Sequence, residues 1–230
     1  MIDAFILCGG LGTRFRDVSN DYPKALAPVG NRKVIDLIIE KLMTENVGNI
    51  ILGTGYLSDQ LSAHVEDKEY KNIIVSKEPK PLGTGGAISY ALDKFNTEDI
   101  LVLNGDTIVD FDLIKLLSFH KEKKANCTIL TAKSDQANEY GNIKKDSNGL
   151  VLDFAEKNSR QETKYVNAGV YIIKKESIGK LPKKGSLEKD YFPIFCDTKK
   201  LFCLTTNCLF HDIGTKSRYD AFRSYRENEG

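Results

Sequence analysis

"ILCGGLGTRF", residues 6–15, decides the fold: an apolar run stops abruptly in a turn holding three glycines, a threonine and an arginine. A continuous apolar run of that length reads as a strand buried on both faces, and a glycine-rich turn at its carboxyl end is where a parallel sheet meets a ligand. Further short apolar runs recur at residues 49–53, 73–76, 100–104 and 128–132. Helical spacing lies between them, clearest at 34–45 (Ile35, Ile38, Ile39, Leu42) and 85–95 (Ile88, Ala91, Leu92, Phe95). The alternation predicts an α/β fold, Rossmann-like, with a doubly wound sheet. After about residue 138 the rhythm changes. "GNIKKDSNGLVLDFAEK" (141–157) reads as a hairpin and "YVNAGVYII" (165–173) as another strand, so a small antiparallel addition is expected within one domain spanning 1–230.

Composition excludes several functions. Thirty-three Lys plus Arg against 32 Asp plus Glu leave no excess charge for a polyanion, so nucleic acid is not expected as a partner. The opening apolar run, interrupted by Asp3, is too short to cross a membrane, and a cytoplasmic protein is expected. Five cysteines without a Cys-x-x-Cys pair read as reduced thiols, and Cys203, Cys208 and His211 match no zinc spacing.

Glycines in such a turn let backbone N–H groups approach phosphate oxygens, because no Cβ intervenes; alone, they would equally serve a tight bend. Two familiar phosphate loops do not fit. A P-loop needs Gly-Lys-Ser or Gly-Lys-Thr where this chain has Gly12, Thr13 and Arg14. A dinucleotide fingerprint needs a small residue at Phe15 and an acid ending the second strand, where "ILGTGY" (51–56) has none. "YPKALAPVG" (22–30) then places Lys24 after Pro23 in a loop kept extended by its prolines. Arg14 offers a planar fork for terminal phosphates and Lys24 a compact charge for one phosphoryl group.

Gly9 to Arg14, followed by Pro23–Lys24 and Pro28–Val29, resembles the Gly-Gly-x-Gly-Thr-Arg, Pro-Lys and Pro-Val pattern of the sugar-1-phosphate nucleotidyltransferases. These enzymes couple a nucleoside triphosphate to a sugar phosphate and release pyrophosphate. The chain departs from the family at Asp17, Val18 and Ser19, at Ala25 and at Lys33. The resemblance extends from residue 2 to about residue 216. It implies a GT-A-like nucleotidyltransferase fold, with nucleotide contacts at Leu7, Gly9, Gly10, Gly12 and Thr13. It also implies a second glycine-rich loop against the base, here Gly83, Gly85 and Gly86 in "PLGTGGA" (81–87), whose helix start would offer free N–H groups.

"ILVLNGD" (100–106) ends a buried strand with Asn104, Gly105 and Asp106. A carboxylate at the carboxyl end of a central parallel strand suits Mg²⁺ carried by a triphosphate, whereas Asp110 and Asp112 read as caps of the next helix. In the resembled family an Asp-x-Gly-Thr supplies the partner carboxylate, here Asp212, and His211 beside it is too soft a donor to be expected as a ligand. "EYGNI", "FAEK" and "VNAGVYI" resemble the family's sugar segments, implying contacts from Gly141, Glu156, Lys157 and Asn167, to which the resemblance adds Asn104; the roles of Glu188 and Asp190 stay open.

The resemblance implies an in-line displacement, with Arg14, Lys24 and Asp106 as the catalytic set and Asp106 and Asp212 as metal ligands. Short length, "LCGGLGTR" and "SLEKD" (186–190) look most like the bacterial enzymes that attach GMP to D-glycero-D-manno-heptose 1-phosphate for surface polysaccharides. Mannose 1-phosphate, or CTP, UTP or dTTP, are the alternatives. So is a regulatory subunit that only binds nucleotide sugar. Tyr219, Phe222 and Tyr225 form a packing face or, alternatively, a homodimer contact.

Overall fold

At the centre of the sheet lies β1 (Asp3–Leu7), hydrogen-bonded in parallel to β4 (Ile50–Thr54) on one side and β6 (Asp99–Asn104) on the other. β5 (Ile73–Lys77) extends the parallel half beyond β4. The chain order within this half is therefore β5–β4–β1–β6, and the winding reverses between β1 and β6. A computed structural model describes residues 1–10, 21–55, 57–134, 140–155, 164–207 and 210–229.

Residue alternation explains the double winding. Ala4, Ile6, Ile50, Leu52, Leu101 and Leu103 face one core, Phe5, Ile51, Ile100 and Val102 the other. Helices α1 (Val34–Thr44), α2 (Ser58–Asp67), α4 (Leu113–Glu122) and α7 (Lys216–Glu229) cover the first face. α3 (Gly83–Tyr90), α5 (Lys175–Gly179) and α6 (Phe192–Asp197) cover the second. α1 buries Val34 together with the stripe read from the sequence, Ile35, Ile38, Ile39 and Leu42. Its Asp36 is also buried: Oδ1 takes His64 Nε2 at 2.7 Å and the Tyr70 hydroxyl at 3.0 Å, and Oδ2 the Lys33 N–H at 2.9 Å. Burial alone would raise that carboxyl, but its hydrogen bonds, His64's first, bring it below its ordinary value and tie α1 to α2.

β11 (Tyr165–Lys174) joins the two halves of the sheet: Val170–Lys174 run antiparallel to β6. Its other edge meets β8 (Cys127–Lys133), with the register shifting between Asn167 and Tyr171, and β8 pairs in parallel with β12 (Leu201–Thr206). The hairpin β9 (Asn142–Lys145) and β10 (Val151–Ala155) joins β11 at Val166. Its turn reaches β12 through the Leu150–Phe202 bridge and a Cys203 N–H to Gly149 carbonyl bond of 2.7 Å. The expected antiparallel addition thus becomes a ring of five strands with one parallel pair, and it takes in β8, which the sequence placed in the parallel series but which, among the described strands, pairs only with β11 and β12. Two short ladders complete the framework, β2 (Pro28–Val29) with β3 (Arg32–Lys33), and β7 (Thr107–Val109) with β13 (Phe210–Asp212).

Candidate active site

The carboxyl ends of β1 and β6 open into a cleft of about 510 Å³ at the point where the winding reverses. Leu7, Gly9, Gly10, Asn104, Asp106 and Gly83, all read from the sequence, line it together with Lys24. Leu7 closes β1 in register with Asn104, and its carbonyl takes the Gly105 N–H at 3.1 Å, so both strands end at one level. Lys24 opens a single 3₁₀ turn held by Pro23. Its Nζ lies 2.6 Å from Asp106 Oδ2, which brings together two groups 82 residues apart. Gly12, Thr13, Arg14, Glu156 and Lys157 lie outside the described residues.

Asp212 reaches Asp106 through the backbone. It stands opposite Thr107 in the β7–β13 ladder, and the next N–H, of Ile213, donates to the Asp106 carbonyl at 2.9 Å. Its own carboxylate accepts the Gly214 N–H and, at 2.6 Å, Arg218. No group of three or more His, Cys, Asp or Glu is assembled for a metal among the described residues. Two carboxylates are hard oxygen donors, and such a set fits Mg²⁺, which takes its other ligands from phosphate and water, better than a closed zinc site. His211 stacks against Phe222 at 5.0 Å and Tyr225 at 4.8 Å, while Tyr219 and Phe222 are buried in the core. Those rings are the packing face of α7.

Two sequence expectations are corrected. Gly85 and Gly86 do not present free N–H groups: both donate to the Gly185 carbonyl, at 3.0 and 3.2 Å. Neither lines the cleft. They are glycine because a Cβ on Gly85 would stand 2.6 Å from the Tyr191 ring, and one on Gly86 3.0 Å from the Lys183 carbonyl. Asn167 likewise does not direct its amide hydrogens to a ligand. Nδ2 donates to Tyr171 Oη and Glu188 Oε1, each at 2.8 Å, and Oδ1 accepts the Gly169 N–H at 2.9 Å. Gly141 supports this corner, its carbonyl taking the Asn167 N–H at 2.9 Å.

The residues Asn167 holds, Tyr171 and Glu188, line the cleft. So does Glu78, just past β5. Glu78 accepts the Leu82 N–H at 3.1 Å, and a Cβ on Gly9 would lie 3.1 Å from its Oε1. Burial raises its carboxyl above the ordinary value, against the lowering effect of that N–H. Burial, and then Glu188, push the Tyr171 phenol well up, and burial with Asp106 pushes up the Cys8 thiol beside Gly9. Both effects favour the neutral thiol at Cys8. Periodicity could not show Glu78, since a charge after a strand reads as solvated; its signal was its place, four residues before Leu82 at the mouth of the second glycine loop. Asp112 caps α4 by accepting the Lys115 N–H at 2.8 Å, as expected, whereas Asp110 pairs with Lys41 at 2.9 Å. Asp190 accepts the Ser186 N–H at 2.6 Å and so fixes the turn after Gly185.

The sequence model of the nucleotidyl transferase family matches residues 3–228. A D-glycero-alpha-D-manno-heptose 1-phosphate guanylyltransferase of Aneurinibacillus thermoaerophilus is 34% identical over 222 residues, covering 95% of this chain and 95% of that protein. The mannose-1-phosphate guanylyltransferase catalytic subunit beta of Dictyostelium discoideum is 35% identical over 217 residues and 92% of this chain, which spans 60% of that relative's length. The crystal structure of HddC from Yersinia pseudotuberculosis complexed with GMP-PN aligns with a TM-score of 0.86 at 32% identity, covering 98% of this chain and 99% of that one. The extent of the family match and the cleft at the winding reversal agree, and the chain belongs to the nucleotidyl transferase family.

Proposed function

We propose that the protein transfers GMP from GTP to a heptose 1-phosphate, releasing pyrophosphate, in the making of surface polysaccharide. The observation that carries this reading is the convergence of Gly9, Gly10, Lys24 and Asp106 in one cleft, with the backbone of Asp212 brought beside Asp106 by the β7–β13 ladder. The heptose relative, matched over nearly its whole length, supports the acceptor, and the GMP-PN complex of HddC supports the nucleotide.

A sugar-phosphate oxygen attacks the α-phosphorus of GTP, and the bond to the β-phosphate bridge breaks on the opposite side. Two anions must meet, so the residues neutralise and align, with no covalent enzyme intermediate. Gly9 and Gly10 let the phosphates approach the backbone, Lys24 holds the α-phosphate, Arg14 the leaving pyrophosphate and Lys157 the incoming phosphate. Asp106 and Asp212 would hold Mg²⁺, which when bound neutralises phosphate charge. Glu78 accepts guanine N1–H and its 2-amino group, a donor pair that adenine lacks. Glu188, held by Asn167, and Glu156 accept sugar hydroxyls. The reaction needs no membrane or nucleic acid, and no described helix is long and apolar enough to cross a membrane. A cytoplasmic setting follows from the nucleotide substrate, and a homodimer remains compatible with it.

Mannose 1-phosphate is the second reading, favoured by the 35% identity to a longer mannose-1-phosphate guanylyltransferase. A pyrophosphate-release screen of each NTP against heptose, mannose and glucose 1-phosphates tests both. Release with GTP and heptose 1-phosphate is expected. Preference for mannose 1-phosphate would move the acceptor, and silence across all pairs would favour a binding subunit.

A further inference from the structure

Arg218, on the first turn of α7, touches Asp212 and Tyr140, and none of the three lines the cleft itself. In its plane, NH1 donates to Asp212 Oδ2 at 2.6 Å, with 18% of the Arg218 side chain and 11% of the Asp212 side chain accessible. Through its face, the guanidinium carbon lies 4.6 Å from the centre of the Tyr140 ring. Tyr140 meets Phe210 edge-on at 5.0 Å and immediately precedes Gly141, whose carbonyl holds the Asn167 N–H. Asp212 is thus oriented from both oxygens, by Gly214 and by Arg218. The helix that carries Arg218 is itself anchored: Tyr219 is buried, and its hydroxyl donates to the Pro28 carbonyl at 2.5 Å.

A planar guanidinium can form an in-plane ion pair and stack on a ring at the same time; an ammonium ion does only the first well. We propose that Arg218 is a positioning residue that fixes Asp212 and, through the Tyr140 ring, the segment leading to Gly141 and β9. One side chain thereby keeps the acidic side and the sugar side of the cleft in register. The inference rests on the function proposed above and deepens it, since it predicts that α7 affects acceptor recognition without touching the acceptor.

The test is steady-state kinetics of wild type, Arg218→Lys, Arg218→Met and Tyr140→Leu, with thermal melting of each. Calorimetric binding of the GDP-sugar product and of a non-hydrolysable GTP analogue provides a readout independent of turnover. Tyr140→Leu should raise KM for the sugar phosphate about tenfold with kcat nearly kept and KM for GTP unchanged. Arg218→Lys should behave likewise, because it keeps the charge beside Asp212 and loses the stack. Arg218→Met should add a drop in kcat of about tenfold or more. Product binding should weaken in all three variants, and binding of the GTP analogue, measured without Mg²⁺, in none. Variants that only melt earlier, with kcat and both KM values within about twofold of wild type, would overturn the inference and leave the function standing. So would a Lys variant that loses GTP and sugar binding equally. A wild type silent with every NTP and sugar phosphate would overturn both.

Discussion

Two glycine-rich turns look alike in the sequence, and the fold uses them in opposite ways. Gly9 and Gly10 follow the carboxyl end of β1 and line the cleft, and no described atom lies within 4 Å of a Cβ built on Gly10. Gly85 and Gly86 sit inside the first turns of α3, their N–H groups taken by Gly185 and their missing side chains filled by Tyr191 and the 183–184 backbone. Gly10 stands open to the cleft, whereas Gly85 and Gly86 are closed by packing even though Gly83 of the same loop lines the cleft. A glycine's neighbours decide its role, and those neighbours come from distant parts of the chain.

The hardest way to break the ligand-facing half of this contrast is Asp106→Asn, which keeps the shape of the turn after β6 and removes its charge. Turnover should fall by at least about 100-fold, roughly 2.7 kcal/mol of barrier, while the melting temperature changes little. Near-normal turnover would show that the charge is idle. Next is Gly85→Ala, whose methyl would press on the Tyr191 ring: a loss of about 2 kcal/mol of stability is expected. That loss should lower the melting temperature by roughly 4–8 °C while KM for GTP holds in the folded fraction. Gly10→Ala should do the reverse, melting like wild type with KM for GTP raised about tenfold. If both alanine variants merely melt early, the contrast between the turns is wrong.

Glu78→Gln sharpens the same contrast at the base. A carboxamide cannot accept both guanine donors, and KM for GTP should rise about fivefold, roughly 1 kcal/mol. The pH dependence has a defined sign. Glu78's carboxyl is raised above its ordinary value, chiefly by burial, and in the proposed binding mode only its ionised form can accept both guanine donors. Wild-type KM for GTP should therefore climb as pH falls through that raised value, above the range in which an exposed glutamate titrates, and the Gln variant should lose the climb. A parallel climb in both would assign the titration elsewhere.

Much of the parallel half was legible because both periods were written in it. The runs at 49–53 and 100–104 became β4 and β6 within a residue, and the α1 stripe faced the core as spaced. The five-strand ring was less so. "LFCLTTN" reads as a strand, but nothing local says that it joins β8 in parallel or that Gly149 docks on it. α2, with its short apolar stripe of Leu61 and Val65, was not read at all, nor were the β7 and β13 strands that bring Asp212 to Asp106. In the site, Lys24, Asp106 and Asp212 were recognisable as motif residues. Glu78 and Arg218 stand in no motif, since their neighbours lie on other elements and their charges read as surface, and Glu188 stands in a motif whose role only its contact with Asn167 reveals.

The most direct measurement is a crystal structure with a non-hydrolysable GTP analogue. The phosphates should lie against the Gly9–Gly10 backbone within reach of Lys24 and Asp106, with the guanine edge on Glu78. Phosphates on the N-terminus of α3 at Gly85–Gly86, with the first turn empty, would contradict the account.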